Sequence, residues 1–334
     1  MTTALTTLDE SPPRSSSALA MWARNNAWAL GLLMLLAALV AYTGFIQPSY
    51  FPAGIQGSAI SILPLAFAAV AQAIVVIAGG IDLSIASMMA LTSVVGALLM
   101  ENQPPEITVL VVIGVLVLGL VLGGVNGAII VYTKVPDIIV TLAMLFVWSG
   151  AALLVLRTPG GASADWLRDL VLGSVVSEWL PKAAVVLVAF VGVVWLLVRR
   201  SRLGLSLYAI GSDSLAAFRS GVSVARTKVA AYMLAGLFSA AGGLSLSANT
   251  GNATPVPGPY TLLSVAAVVL GGVSLAGGRG GIVGPIIAVL ILDLIKSDMT
   301  FMRIDPNYAT VAQGIILVGV VMVGSLIQFR KARV

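Results

Sequence analysis

The sequence predicts an all-α protein: a polytopic transmembrane helical bundle of about ten spans with both termini in the cytoplasm. Three observations carry this expectation. Hydrophobic residues fill 59% of the 334 positions and charged residues only 9%, against about 25% charged in an ordinary soluble domain; the mean hydropathy is +1.06. The apolar residues fall in runs of about 20, the length at which a helix crosses a bilayer with its backbone groups bonded internally. Cationic residues collect in alternate loops. Arg14, Arg24, Lys134, Arg199, Arg200, Arg202, Arg219, Arg226, Lys228, Arg279, Arg330, Lys331 and Arg333 fall on one side, but only Arg157, Arg168, Lys182, Lys296 and Arg303 on the other. The side rich in Lys and Arg is the cytoplasmic one.

Residues 1–26 are rich in Ser, Thr and Pro over Met1 to about Ala20 and read as a disordered cytoplasmic tail. Residues 27–328 form the transmembrane unit. Span 1 is about Trp28–Ile46, too long and too late to be a simple cleaved signal, and Gln47 to Pro52 breaks it outside. Span 2, about Ser58–Ala78, ends at the glycine-rich turn Gly79-Gly80-Ile81-Asp82-Leu83-Ser84, which opens span 3, about Leu83–Met100. Glu101 to Glu106 is an external turn before span 4, about Ile107–Tyr132; Thr133 to Asp137 turns inside before span 5, about Ile138–Leu156. The longest external loop, Arg157 to Pro181, carries Trp166 and Trp179 as interfacial anchors. Span 6 is about Ala183–Val198 and span 7 about Val229–Ala248. Span 8, about Thr261–Leu275, is followed by an internal turn at Gly277 to Gly281 and by span 9, about Ile282–Ile295. Lys296 to Tyr308 is an external loop, span 10 is about Ala309–Ile327, and residues 329–334 are a basic cytoplasmic tail. Gly119, Gly123 and Gly127, four apart on span 4, read as a close helix contact. Val75 to Leu83 is echoed by Val268 to Leu275, either as a duplicated half or as a convergent glycine turn.

The composition also excludes chemistry. A net charge of +5 and a pI near 9.7 do not indicate nucleic acid, because the cations flank membrane spans. The chain has no cysteine and no histidine, which removes disulfides, thiol catalysis and imidazole bases or ligands. No Gly-x-x-x-x-Gly-Lys-Ser/Thr loop, nucleophile–base pair or carboxylate–metal cluster is present, so no catalytic or metal residue is expected and ATP, if used, binds elsewhere.

Two groups of residues invite a role. The central cytoplasmic loop, about 199–228, is long, polar and basic in an otherwise apolar chain. Its interior reads as a short helix: Ser212 or Asp213 caps it, Ala216 and Ala217 favour it, and Gly221 ends it. Such a helix suits docking of a soluble partner through its small Ala-Ala face; the alternative is an ordinary loop made basic by its location. The second group is polar and lies within spans: Gln72, Asn126, Thr141, Trp148, Ser149, Ser264 and Gln313. These either line a path for a polar solute or bond helix to helix. Asp82, at membrane depth, is either a functional carboxylate or the cap of span 3.

Gly79-Gly80-Ile81-Asp82-Leu83-Ser84, Gly124-Val125-Asn126-Gly127, Lys134-Val135-Pro136 and Ile139-Val140-Thr141-Leu142 together resemble a known family. So do Ala209-Ile210-Gly211-Ser212-Asp213 with Ala216-Ala217 and Gly221, and Val269-Leu270-Gly271-Gly272 with Gly277-Gly278-Arg279-Gly280. The resemblance, from about residue 30 to 328, is to the membrane permease subunit of ribose-type ABC importers, which includes permeases for ribose, xylose, arabinose, galactose and autoinducer-2. It implies a non-catalytic subunit in a bacterial inner membrane, importing a monosaccharide or similar small polar solute. Two permease copies, identical or related, would form one path. A separate cytoplasmic subunit would bind ATP and Mg, docking at Gly211, Ser212, Asp213, Ala216, Ala217, Arg219 and Gly221. A soluble binding protein would deliver the solute. Gln72, Asp82, Asn126, Thr141, Trp148 and Gln313 would lie along the path. Ser212-Asp213 depart from the family, which usually has Asn or a similar polar residue after Gly211. An ion-coupled secondary transporter, an ABC permease for branched-chain amino acids and a non-transport membrane scaffold or receptor are the rival readings.

Overall fold

Lipid offers no water to a bare amide, so backbone at membrane depth must be helical or enclosed by protein. This chain does both. The computed structural model describes residues 27–305 and, beyond them, 308, 311, 314, 315, 318, 319 and 322. Among the described residues there are twelve α-helices and no strands. They are α1 (Ala27–Ile46), α2 (Ala53–Ile77), α3 (Ile85–Met100), α4 (Pro105–Thr133), α5 (Asp137–Val155) and α6 (Asp165–Val171). Next come α7 (Lys182–Arg200), α8 (Arg202–Ser212), α9 (Ser214–Arg219), α10 (Val224–Thr250), α11 (Tyr260–Leu270) and α12 (Val283–Phe301).

Six helices, α1, α2, α4, α5, α7 and α10, are long and apolar enough to cross a membrane. Expected spans 3 and 8 are the shorter apolar helices α3 and α11. Span 8 ends at Leu270, not Leu275, because Gly272 turns left-handed at φ +80°. Span 9 runs on to Phe301, so Lys296 and Asp298 are helical and not in an external loop. Described residues of span 10 are helical; the rest of it and both tails lie outside the described residues. The central loop is nearly all helix, α8 and α9, where the sequence suggested one short helix.

The axis of the bundle is α2 against α10, the former 83% buried over its apolar window. Helices α1, α4, α5 and α7 turn apolar side chains such as Met34, Leu110, Phe146 and Val188 outward, a surface suited to lipid. The glycine row on α4 makes its contact with α10 as expected. A methyl on Gly123 would strike the Tyr232 carbonyl, on Gly119 the Gly236 carbonyl, and on Gly127 the Cα of Val229 at 2.8 Å. Trp166 is half-buried. Its indole donates to Thr108 Oγ1 at 2.7 Å and pins α6 to α4. Trp179 is exposed near the tip of the hairpin closed by the Ser174–Pro181 bridge and stacks on Phe51, ring centroids 6.1 Å apart.

The loops sort into two sets, as the charge alternation requires. At one end the Ala162 amide donates to Ala97, Gly160 pairs with Ala253, and the Ser163 amide donates to Gly251. At the other, the Gly278 amide donates to the Ile77 carbonyl at 2.9 Å and Tyr208 donates to the Gly280 carbonyl at 2.9 Å. The echoed turns share one hydrogen-bond pattern. Amides of Ala78, Gly79 and Gly80 reach carbonyls of Ile74, Val76 and Val75; those of Gly271, Gly272 and Val273 reach Ala267, Val269 and Val268. Both are glycine helix stops, with φ of +81° and +80°. Beyond them the paths differ: residues 79–84 lead straight into α3, whereas a second glycine turn separates α11 from α12.

Candidate functional site

Two of the apolar helices are too short to cross alone. Eleven residues of α11 rise only about 16 Å, half of a hydrocarbon core of about 30 Å. Its start meets the start of α3: the Thr261 hydroxyl lies 3.2 Å from the Leu83 carbonyl and accepts from the Ala86 amide at 3.1 Å. Ala86 to Ala97 along α3 covers roughly 16 Å, so this meeting lies far below the end where Ala97 bonds Ala162. Residues 79–84 and 251–259 are thus irregular chain that runs inward from the two ends to this meeting. Such backbone persists in a membrane only where protein or a cavity serves its polar groups.

Side chains from four elements serve the 79–84 crossover. Asp82 Oδ1 accepts from the Ser84 amide at 2.8 Å and the Ser84 hydroxyl at 2.6 Å. Ser84 Oγ accepts from Asn126 Nδ2 of α4 at 2.8 Å, and Asn126 Oδ1 accepts from the Trp148 indole of α5 at 3.2 Å. Every donor in this chain points toward the carboxylate, an arrangement in which each bond polarises the next. The Ile81 carbonyl faces two hydroxyls, Thr141 of α5 at 3.3 Å and Tyr232 of α10 at 3.4 Å. Thr141 also donates to the Asp137 carbonyl at 2.9 Å.

Four of the sequence-nominated path residues are therefore brought together: Asp82, Asn126, Thr141 and Trp148. All but Trp148 are wholly buried within this one chain; Asn126 and Trp148 join α4 and α5, whereas Asp82 and Thr141 bond within the crossover or to its backbone. Gln72 is equally buried but apart from them, with neither amide atom partnered. Gln313 lies outside the described residues. Asp82 does not cap α3 in the expected way; Ser84 holds the cap position, and Asp82 folds the turn before it with Oδ2 unpartnered. A second carboxylate within the bundle is Asp293. It is mid-helix in α12 and accepts from Ser61 of α2 at 2.8 Å. Among the described residues no group of His, Cys, Asp or Glu could hold a metal ion.

The second region is α8–α9. Asp213 is the cap of α9, accepting from the Leu215 and Ala216 amides at 2.9 Å each, and Gly221 ends it with φ +84°. Both match the sequence expectation. The faces do not. Ala217 is buried, 6% exposed, and packs into its own chain. Ser212, Asp213, Ala216 and Arg219 are exposed, but the apolar outer face is Leu215, 57% exposed, and Phe218, 67%. Sequence reasoning passed over this pair, although their i, i+3 spacing already places them on one face. Gly211, at the end of α8, lies against Gly79 and Gly277 with no room for a side chain; a Cβ there would strike the Ile77 carbonyl. Tyr208 locks the same junction to the Gly280 loop; burial raises its pKa, Arg199 partly opposes that, and the phenol stays a donor.

Residues 54–321 match the family described as "Branched-chain amino acid transport system / permease component". The chain is 34% identical over 303 residues to the ribose import permease protein RbsC of Bacillus subtilis (strain 168), covering 86% of this chain and 90% of that one. It is 29% identical over 304 residues to the fructose import permease protein FrcC of Rhizobium meliloti, covering 87% and 83%. It is 28% identical over 321 residues to the autoinducer 2 import system permease protein LsrD of Escherichia coli O9:H4 (strain HS), covering 92% and 94%. No solved structure matches it significantly. The chain therefore belongs to the family of transport-system permease components.

Proposed function

We propose that this chain is the membrane permease subunit of an ATP-driven, binding-protein-dependent importer for a monosaccharide or related small polar solute. The solute class rests on the relatives named for ribose, fructose and autoinducer 2. The chain crosses a bacterial inner membrane about ten times with both termini inside, and two copies, identical or related, form one path. ATP and Mg belong to a separate cytoplasmic subunit, and an external binding protein delivers the solute.

The observation that carries this reading is α9. A capped six-residue helix presents Leu215 and Phe218 outward from the loop set richest in Lys and Arg. Two exposed large apolar side chains on an otherwise polar surface suit a protein contact. The helix is also anchored where it matters: the α8–α9 junction rests on the crossover through Gly211 and Gly79. Gly211, Ser212, Asp213, Ala217 and Gly221 build and hold the dock, while Ala216, Arg219, Leu215 and Phe218 face the partner.

Co-purification with the cognate ATP-hydrolysing subunit tests it, comparing wild type with Leu215→Asp and Phe218→Asp. Both variants should insert normally and lose the subunit, since a charge there meets an apolar partner surface. Equal retention by all three forms would sink the docking assignment. An ion-coupled transporter is the second reading, favoured by the unpartnered Asp82 Oδ2. On the ATP-driven reading Asp82→Asn preserves ATP-dependent uptake of a ribose or fructose probe; on the ion-coupled one it abolishes uptake, and no ATPase is needed.

A further inference from the structure

A cleft of about 500 Å³ opens beside the docking helix. Phe218 of α9 forms one wall, and Lys134, Pro136, Asp137, Val224 and Lys228 line the rest. Two of these lining residues form an ion pair, Lys228 Nζ to Asp137 Oδ1 at 2.7 Å. The other oxygen of that carboxylate accepts from the Tyr232 hydroxyl at 2.9 Å. Lys228 and Tyr232 are one turn apart on α10, so both address a single carboxylate at the start of α5. Tyr232 is 1% exposed, and its hydroxyl also faces the Ile81 carbonyl at 3.4 Å. Thr141, one turn along α5 from Asp137, faces the same carbonyl. A Cβ on Gly80 would lie 2.5 Å from Asp137 Oδ2 and 2.8 Å from the Tyr232 hydroxyl, so the crossover backbone passes directly over this bond.

The cap of α9, its buried Ala217 and the Gly211 contact are separate from the bonds among Asp137, Lys228 and Tyr232. These three residues do not belong to the Asp82–Ser84–Asn126–Trp148 chain either. They join the cleft wall to the residue immediately before Asp82. We propose that Tyr232 is a positioning residue that couples the docking cleft to the crossover, moving the Ile81 carbonyl when a partner on α9 shifts the Asp137–Lys228 pair. This rests on the docking role given to α9 above. The side chain exchanges no bond or proton in the proposal; it transmits position through the bond to Asp137 and the contact with Ile81.

Hydrogen exchange on the assembled complex with its ATP-hydrolysing subunit tests it, without and with Mg-ATP plus vanadate. In wild type, trapping should change exchange several-fold both at residues 214–222 and at residues 79–84. In Tyr232→Phe, which keeps the ring and removes the hydroxyl, the change at 214–222 should persist and that at 79–84 should be lost. Asp137→Asn, which removes the charge facing Lys228, should reproduce that split. The inference is overturned if wild type shows no response at 79–84, or if both variants retain it. It is overturned equally if both variants lose the ATP-hydrolysing subunit, for the network is then simply structural. Failure of the wild type itself to retain that subunit refutes the docking reading instead and is seen before any exchange is measured.

Discussion

Asp213 sets where the exposed helix begins. Its Oδ1 takes two amides that α9 would otherwise leave bare, and loss of such a cap costs about 1 kcal/mol. Asp213→Ala should loosen α9 while leaving the membrane bundle unchanged, seen as faster amide exchange confined to residues 214–222. The next positions show why side-chain direction matters more than residue type. Ala216 and Ala217 look alike in sequence, yet Ala217 is buried and Ala216 exposed. Ala217→Asp would bury a carboxylate inside the chain's own packing, an unpaired charge costing several kcal/mol. It should therefore lower the thermal stability of the isolated protein, whereas Phe218→Asp should not. Melting of each variant without partner separates the two. The cap and the helix stop were legible because they depend on local chemistry. The outward face was legible in principle from the Leu215–Phe218 spacing, but Ala-Ala drew attention as the small surface.

At the scale of elements, the α4–α10 contact was the most readable feature, because small residues at a four-residue period admit close backbone approach. Gly123 lies directly over the Tyr232 carbonyl, with no flexible side chain able to yield. Gly123→Val should force the two helices apart at a cost of at least about 1–3 kcal/mol, read as a lowered melting temperature in detergent. Gly114, which meets nothing within 4 Å, should tolerate the same change. The crossover was only half readable. The glycines announced a break and Asp82 announced a polar group at depth, but which backbone atoms that group serves depends on α4, α5, α10 and α11 arriving together. Thr261, Tyr232 and the Asp137–Lys228 pair act across 91 to 178 positions of sequence, and no local pattern marks them. Their logic appears only with the backbone in hand: irregular chain in a bilayer must be served by side chains, and these are the ones that serve it. The two short helices were similarly concealed. Apolar flanks made span 8 look five residues longer than the glycine stop at Gly272 permits.

At the scale of the whole molecule, function depends on which loop set faces the cytoplasm. The contacts establish two ends. Charge predicts which is which: Arg199, Arg200, Arg202, Arg219, Arg226 and Lys228 lie around α8 and α9, while Glu101, Glu106, Asp165, Asp169 and Glu178 border the other set, and the basic set is the one expected inside. The absence of cysteine makes this directly measurable, since any introduced thiol is the sole one in the chain. Ser177, at the exposed tip of the hairpin before α7, and Ser214, exposed at the start of α9, report the two ends. Ser177→Cys should react with a membrane-impermeant maleimide in intact spheroplasts, and Ser214→Cys only after the membrane is opened. Ser214→Cys should also lose reactivity when the ATP-hydrolysing subunit is bound, because the partner then covers Leu215 and Phe218 beside it. The reverse labelling pattern would turn the molecule over and place α9 where no cytoplasmic ATPase reaches. The docking role, and the coupling through Tyr232 that depends on it, would both fall with that result, while the helix packing around the crossover would stand.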